Sequence, residues 1–181
     1  LCREHMDCDL GDEMLMQRHG FSENGKIRIE KALYEAVVVP QMDTLFASTC
    51  ELLLKCLEQG GKVIFLKPVP FMVEGDAENT EILRRVLEHP GCRSLSEEEL
   101  IGVLESMGMR ECRFLDDRGQ EQRELLVMTR KTQEGILLFT VNNNREKACE
   151  ARVFLPWEGE VEEWDPLTGE SRKVEEGIPL T

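Results

Sequence analysis

The sequence predicts an α/β fold in which a helix-covered parallel sheet is followed by an antiparallel β region. Two observations give the first part. The runs "EAVVV" (35–39) and "KVIFL" (62–66) are short and continuously apolar, as in strands buried on both faces. Between them, residues 44–61 carry apolar side chains at helical spacing. A strand, helix and strand within about thirty residues form a right-handed βαβ unit with parallel strands. A third observation gives the second part. Beyond Gly108 the chain changes to short alternating or apolar segments separated by turn sequences, the signature of antiparallel strands.

Taken in order, "DLGDEMLMQRHG" (9–20) predicts a short helix. Asp9 caps it, acidic residues fill its first turn and Gly20 follows its end. "GKIRI" (25–29) alternates as a strand, and "EAVVV" is the next strand, closed by Pro40, which has no N–H for a ladder. In the 44–61 helix, Leu45, Thr49, Leu52, Leu53, Cys56 and Leu57 share one face, and Gly60 supplies the left-handed stop. "KVIFL" follows, then a proline-containing loop over 67–79. A helix over 79–89 turns Ile82, Leu83, Val86 and Leu87 inward, and "HPGC" breaks it. A further helix spans 96–108, opened by a Ser96/Glu99 capping box and followed by Gly108. The strand segments beyond are parted by "DDRG", "TQEG", "NNNRE", "PWEGE" and "DPLTGE". The change of character falls near 109–118, giving an α/β domain over 1–109 and an antiparallel β domain over 110–181.

The net charge of -14 disfavours partners with phosphate backbones or anionic lipid heads, so no nucleic acid and no membrane partner is expected. No apolar run is long enough to span a bilayer. The seven cysteines are odd in number and form no CxxC pair, which points to reduced, mostly buried thiols in a cytoplasmic protein. No glycine pattern for binding a nucleotide phosphate is present, and no cofactor is expected. The first residue is Leu1, which suggests a piece of a longer protein or a processed chain.

Ligands in parallel α/β sheets sit at the carboxyl ends of the strands. Gln41, Asp43 and Thr44 stand at that position after the first buried strand, and Lys67 and Pro68 after the next. The simpler role for Asp43 or Thr44 is to cap the following helix. No Gly-x-Ser-x-Gly elbow or cysteine analogue is present, and Cys50 and Cys56 fall within a helix, so no catalytic residue is assigned. His5, Asp7, Asp9, Asp12 and Glu13 cluster in sequence but lack the spacing of a calcium loop. They read better as the acidic start of a helix than as a metal site. Glu97, Glu98 and Glu99, and Glu162 with Glu163, are neighbours and do not face one another across a substrate; they read as solvated faces. Trp157 and Trp164 suit either the core of a small β layer, which is the expectation, or platforms that stack on sugar rings.

The stretch "DLGDEMLMQRHG … NGKIRI … YEAVVVPQMDTLFASTCELLLKCLEQGGKVIFL" resembles a segment of large bacterial glycoside hydrolases, the α-L-rhamnosidase and β-galactosidase-like group. The shared features are the "GDE" helix start, the "Y-x-x-VVVP" strand, the "T-L-x-x-S-T" helix entry and the "GGKVIFL" strand. The later stretch "ILLFTVNNNRE … ARVFLPWEGEVEEWDPLTGES" is similar to β-sandwich strands that follow in such enzymes. The patches touch most of residues 7–66 and 124–171.

The resemblance implies a three-layer, flavodoxin-like domain, similar to class I glutamine amidotransferases and to the trimerisation domain of β-galactosidases, followed by a partial β-sandwich. It places the acid and nucleophile in a catalytic barrel upstream and leaves this domain without its own catalytic cysteine. The expected function is then that of a non-catalytic accessory fragment of a carbohydrate-active hydrolase, with a scaffold or oligomerisation role. Its partners would be the other domains of the parent enzyme, with carbohydrate and a homo-oligomeric contact as further ones. The alternative is a stand-alone carbohydrate-binding module that uses Trp157 or Trp164. A small autonomous enzyme of the amidotransferase-like class rests on the fold alone.

Overall fold

The computed structural model describes residues 1–174, so the end of the expected 110–181 domain, including the last two residues of its final strand segment, lies outside them. The chain is a mixed α/β protein made of two compact units. One is Leu10–Leu100; the other joins Leu1–Asp9 to Ile101–Thr181. The sequence places the division at 109/110. In the structure it falls between Leu100 and Ile101, and the first nine residues go with the second unit, for a reason given below.

The Leu10–Leu100 unit starts with α1 (Glu13–His19), capped by Asp12, whose Oδ1 accepts the Leu15 N–H at 2.9 Å. The cap is Asp12 and not Asp9, because Asp12 stands three residues before the N–H it meets. Next come three antiparallel strands, β1 (Gly20–Glu23), β2 (Lys26–Ile29) and β3 (Ala32–Tyr34). The turn between β1 and β2 is Asn24-Gly25, with φ of 51° and 74°. Both residues are left-handed, as a two-residue turn of the tightest kind requires, and Asn-Gly is the pair best suited to it. Only β2 is anticipated by the alternation rule; β1 and β3 are additions.

The parallel sheet follows. β4 (Val37–Val39), β5 (Thr44–Leu45), α2 (Ala47–Glu58), β6 (Val63–Leu66), β7 (Met72–Val73), α3 (Glu81–Leu87) and β8 (Cys92–Leu95) complete the unit up to the next helix. The order β4-β6-β8 is parallel throughout, with Val38 opposite Ile64 and Ile64 opposite Arg93. β6 is therefore central, and Val63, Ile64 and Phe65 are fully buried. β4 is an edge strand, so Val38 is only half-buried, less than its apolar run suggests. Short β5 and β7 form a second parallel pair.

The core joins Leu52, Leu53, Cys56 and Leu57 of α2 to Leu83 and Val86 of α3 and to Val63 and Phe65 of β6. α2 ends in a Schellman motif. Gly60 (φ 84°) donates to Leu57 O at 2.9 Å, and Gly61 donates to Cys56 O at 2.9 Å. The next residue space is tight, since a Cβ on Gly61 would meet Cys56 Sγ at 2.3 Å and Gly25 O at 2.5 Å. The hairpin tip thus seats on the end of α2.

α4 (Glu97–Ser106) contains the division between the units. One arm of its capping box forms, since Ser96 N–H donates to Glu99 Oε2 at 2.8 Å; the Ser96 hydroxyl donates to the same oxygen at 2.9 Å, and the Glu99 N–H goes to the Ser96 carbonyl. The second unit's strands are β9 (Arg113–Leu115), β10 (Leu125–Lys131), β11 (Ile136–Asn142), β12 (Arg152–Phe154), β13 (Glu162–Trp164) and β14 (Ser171–Lys173). They pair antiparallel as β10-β11, β9-β12 and β13-β14. A small core of Cys112, Phe114, Leu125, Cys149 and Ala151 lies under the first two pairs.

Candidate functional site

The loop after β4 was the candidate place for a ligand; the side chains of Gln41 and Thr44 and the backbone carbonyl of Asp43 hold it to the neighbouring loop. The Gln41 side-chain amide donates to the backbone carbonyl of Lys67. The Asp43 carbonyl accepts from the N–H groups of Phe71 and Met72, both at 3.0 Å. Thr44 Oγ1 accepts the Gly75 N–H at 2.9 Å. Each bond joins the loop after β4 to the 67–75 segment, in line with the pairing of Thr44 with Met72. The structure therefore brings Gln41, Asp43 and Thr44 together as a structural tie.

Neither Asp43 nor Thr44 caps α2, contrary to the sequence expectation. The helix begins later, at Ala47, because Thr44 and Leu45 are taken up by β5. Phe46 is the N-cap and offers no side-chain acceptor. Carboxylates from elsewhere supply them instead: Glu13 Oε2 accepts the Phe46 N–H at 2.8 Å, and Glu74 Oε1 accepts the Ala47 N–H at 3.4 Å. A carboxylate at a helix N-terminus also meets the positive end of the helix dipole. The position where an anionic ligand would bind is thus filled by the protein's own acids.

The two cysteines of α2 are not activated as nucleophiles. Cys50 is fully buried in α2, and burial, with the Glu13 charge adding to it, pushes its thiol up to about 11. Cys56 Sγ–H donates to Gly25 O at 3.3 Å, and burial raises its pKa as well. A thiol held protonated does not attack a carbonyl. The arrangement can order a loop and close a helix end.

The acidic N-terminal residues disperse. Asp12 caps α1, Glu13 serves α2, and Asp7 Oδ2 faces Arg130 Nη1 at 3.4 Å. Among the described residues no three His, Cys, Asp or Glu side chains are grouped to hold a metal ion.

The two tryptophans lie in the second unit and differ. Trp157 is half-buried. Trp164, on β13 opposite Ser171, is 65% exposed, so the core expectation fails for it. Its Nε1–H donates to Glu162 Oε2 at 3.2 Å, which holds the indole against its own strand and leaves ring surface open to solvent. β13 and β14 contribute nothing to the small core, and that explains the exposure.

The densest polar cluster is one the sequence did not announce. His5 has a fully buried side chain; its Nδ1 lies 3.0 Å from Glu121 Oε2, and its Nε2 lies 3.1 Å from the Gln122 carbonyl. Its ring packs on Phe114 at 4.9 Å between centroids. Glu121 Oε1 also meets Arg113 Nε at 2.6 Å and Arg110 Nη2 at 2.9 Å. The Arg110 contact is ionic, off the angle of a hydrogen bond. Glu105 and Glu4 complete the surroundings of Arg110, and Glu4 Oε1 holds Arg123 at 2.6 Å. This cluster is why Leu1–Asp9 belongs to the second unit. Three carboxylates around one buried guanidinium leave no anion site, so the cluster reads as a structural clasp.

The chain was compared with protein families, with curated proteins and with solved structures, and none of them matches it. Among the described residues no helix is long and apolar enough to cross a membrane.

Proposed function

We propose that the chain is a non-catalytic accessory part of a carbohydrate-active glycoside hydrolase, serving as a scaffold or an oligomer contact for the catalytic barrel of its parent. The observation that carries the reading is an open apolar face in the second unit. On the outer side of the β10–β11 hairpin, Leu126 stands opposite Val141 and Met128 opposite Phe139, with Leu137 beside them. Val141, Met128, Phe139 and Leu137 are all exposed, at 42%, 37%, 45% and 52%. A strand pair with apolar residues on both faces suits a position between layers, as in a partial β-sandwich completed by further chain. The self-filled loop after β4 supports the same reading, because it is what a flavodoxin-like, three-layer domain without its own chemistry would retain. The resemblance to the α-L-rhamnosidase and β-galactosidase-like group names the parent class.

The test begins with the reading frame of the gene on both sides of this segment. A barrel-coding frame upstream is expected, and deleting the accessory part should reduce aryl-glycoside hydrolysis or dissociate the oligomer. A start codon immediately before Leu1 with a stop after Thr181 overturns the proposal.

One observation favours a second reading, a stand-alone carbohydrate-binding module: the open indole of Trp164. Affinity electrophoresis through soluble polysaccharides tests it. Retardation that disappears in Trp164→Ala supports a module; equal mobility in every gel removes it.

A further inference from the structure

The first nine residues fold into a compact plug. Glu4 N–H donates to Leu1 O at 2.9 Å, His5 N–H to Cys2 O at 3.2 Å and Met6 N–H to Leu1 O at 3.3 Å. His5 then takes the left-handed conformation, with φ of 56°, and turns the chain back. His5 and Met6 are buried, at 3% and 4% exposure. The reversal brings the two cysteines that flank the plug together, with Cys2 Sγ 3.6 Å from Cys8 Sγ. Both are exposed, whereas Cys50, Cys56, Cys112 and Cys149 are buried and Cys92 is half-buried.

We propose that Cys2 and Cys8 are a site of oxidative modification, forming a disulfide that closes a ring over the His5–Met6 plug. Three features carry it. The sulfurs are already in contact and need approach each other only to about 2.0 Å, a movement of roughly 1.6 Å that rotation of two exposed side chains supplies. The backbone bonds that bring them together exist before any covalent link. Solvent reaches both sulfurs, so an oxidant of the size of a glutathione disulfide has access to them and not to the buried thiols.

The reaction balances with a small disulfide as the oxidant. The Cys2 thiolate attacks one sulfur of glutathione disulfide, forming a Cys2–glutathione mixed disulfide and releasing one glutathione thiolate. Cys8 gives up its proton and attacks the Cys2 sulfur. The Cys2–glutathione bond breaks and the second glutathione leaves. Two protein thiols lose two electrons, and one glutathione disulfide becomes two glutathiones. The facing of the two exposed sulfurs lets the second thiol resolve the adduct formed on the first, and the same balance holds with the two roles exchanged.

The purified chain is equilibrated in glutathione buffers of rising oxidation, blocked with iodoacetamide and digested with trypsin. Arg3 stands between the two cysteines, so trypsin releases Cys2 on residues 1–3 and Cys8 on residues 4–18. The expected product is these two peptides joined by a disulfide, appearing while Cys50, Cys56, Cys112 and Cys149 still carry the blocking group. In Cys8→Ser the glutathione adduct on Cys2 should persist instead of being resolved. Amide exchange at His5 and Met6 should be about tenfold slower in the oxidised chain. Separate glutathione adducts on the two peptides, or free thiols on both while another cysteine oxidises, overturn the proposal. Equal exchange in the two redox states overturns the claim that the bond holds the plug.

Discussion

His5 Nδ1 lies 3.0 Å from Glu121 Oε2, which ties a residue at the start of the chain to one 116 positions further on. The same carboxylate faces Arg110 and Arg113, so one side chain joins the N-terminal plug, the segment after α4 and β9. A buried charge cluster of this kind is strained less by its presence than by the loss of one member, because the remaining charges then lack a partner.

Glu121→Ala is therefore expected to destabilise the chain by about 3 kcal/mol, read from urea denaturation. Arg123→Ala removes an exposed side chain from Glu4, which keeps Arg110 as a neighbour, and should change stability by less than about 1 kcal/mol. Equal effects from the two variants would show that the clasp has no special weight.

Much of the α/β unit was legible because its signals are local. The Glu99 carboxylate on the Ser96 N–H, the glycine stop at Gly60 and the inward positions Leu83 and Val86 each belong to one helix and form as expected. The misses concern long-range partners. Val38 looks as apolar as Ile64, but strand order decides which is central, and strand order is not written in either run. Thr44 has the chemistry of a cap, yet its hydroxyl goes to Gly75 and Glu13 approaches the helix end from a distant segment. His5 carried no local pattern that names Glu121. The β1–β2 hairpin did have a local signal, Asn24-Gly25, which the alternation rule passed over.

Strand order gives the next expectation. Phe65→Ala empties part of the core at the fully buried central strand and should lower stability by about 4 kcal/mol. Val38→Ala on half-buried β4 should lower it by about 1 kcal/mol. Urea midpoints at matched slope would measure both, and a larger loss at Val38 would reverse the positions assigned to β4 and β6.

The two glycines that end α2 should respond differently to one added methyl group. Gly60→Ala has open space and suffers only from its φ of 84°, an effect of about 1 kcal/mol. Gly61→Ala drives a Cβ to 2.3 Å from Cys56 Sγ and 2.5 Å from the Gly25 carbonyl, so backbone must move and the loss should reach about 3 kcal/mol. Thermal melts of the two variants give the order. If Gly60→Ala proved the worse, the hairpin tip would not be seated on the helix end.

Alkaline stability follows from the buried thiols. Burial pushes Cys50, Cys92 and Cys112 from 9.0 to about 11, because the thiolate is poorly solvated inside the fold. In the unfolded chain these thiols ionise near 9, while in the folded chain they hold their protons until about 11. The folded state therefore binds more protons across that window. Its stability from this source is complete below the unfolded value and falls as pH rises through the window, since ionisation then favours unfolding. Urea midpoints should drop between about pH 8 and about pH 10.5, and the drop should be smaller in Cys92→Ala, where one of the raised thiols is gone. Cys92 suits the test because it is only half-buried, so the smaller side chain leaves little empty volume. An unchanged slope in that variant would mean that other groups carry the alkaline loss.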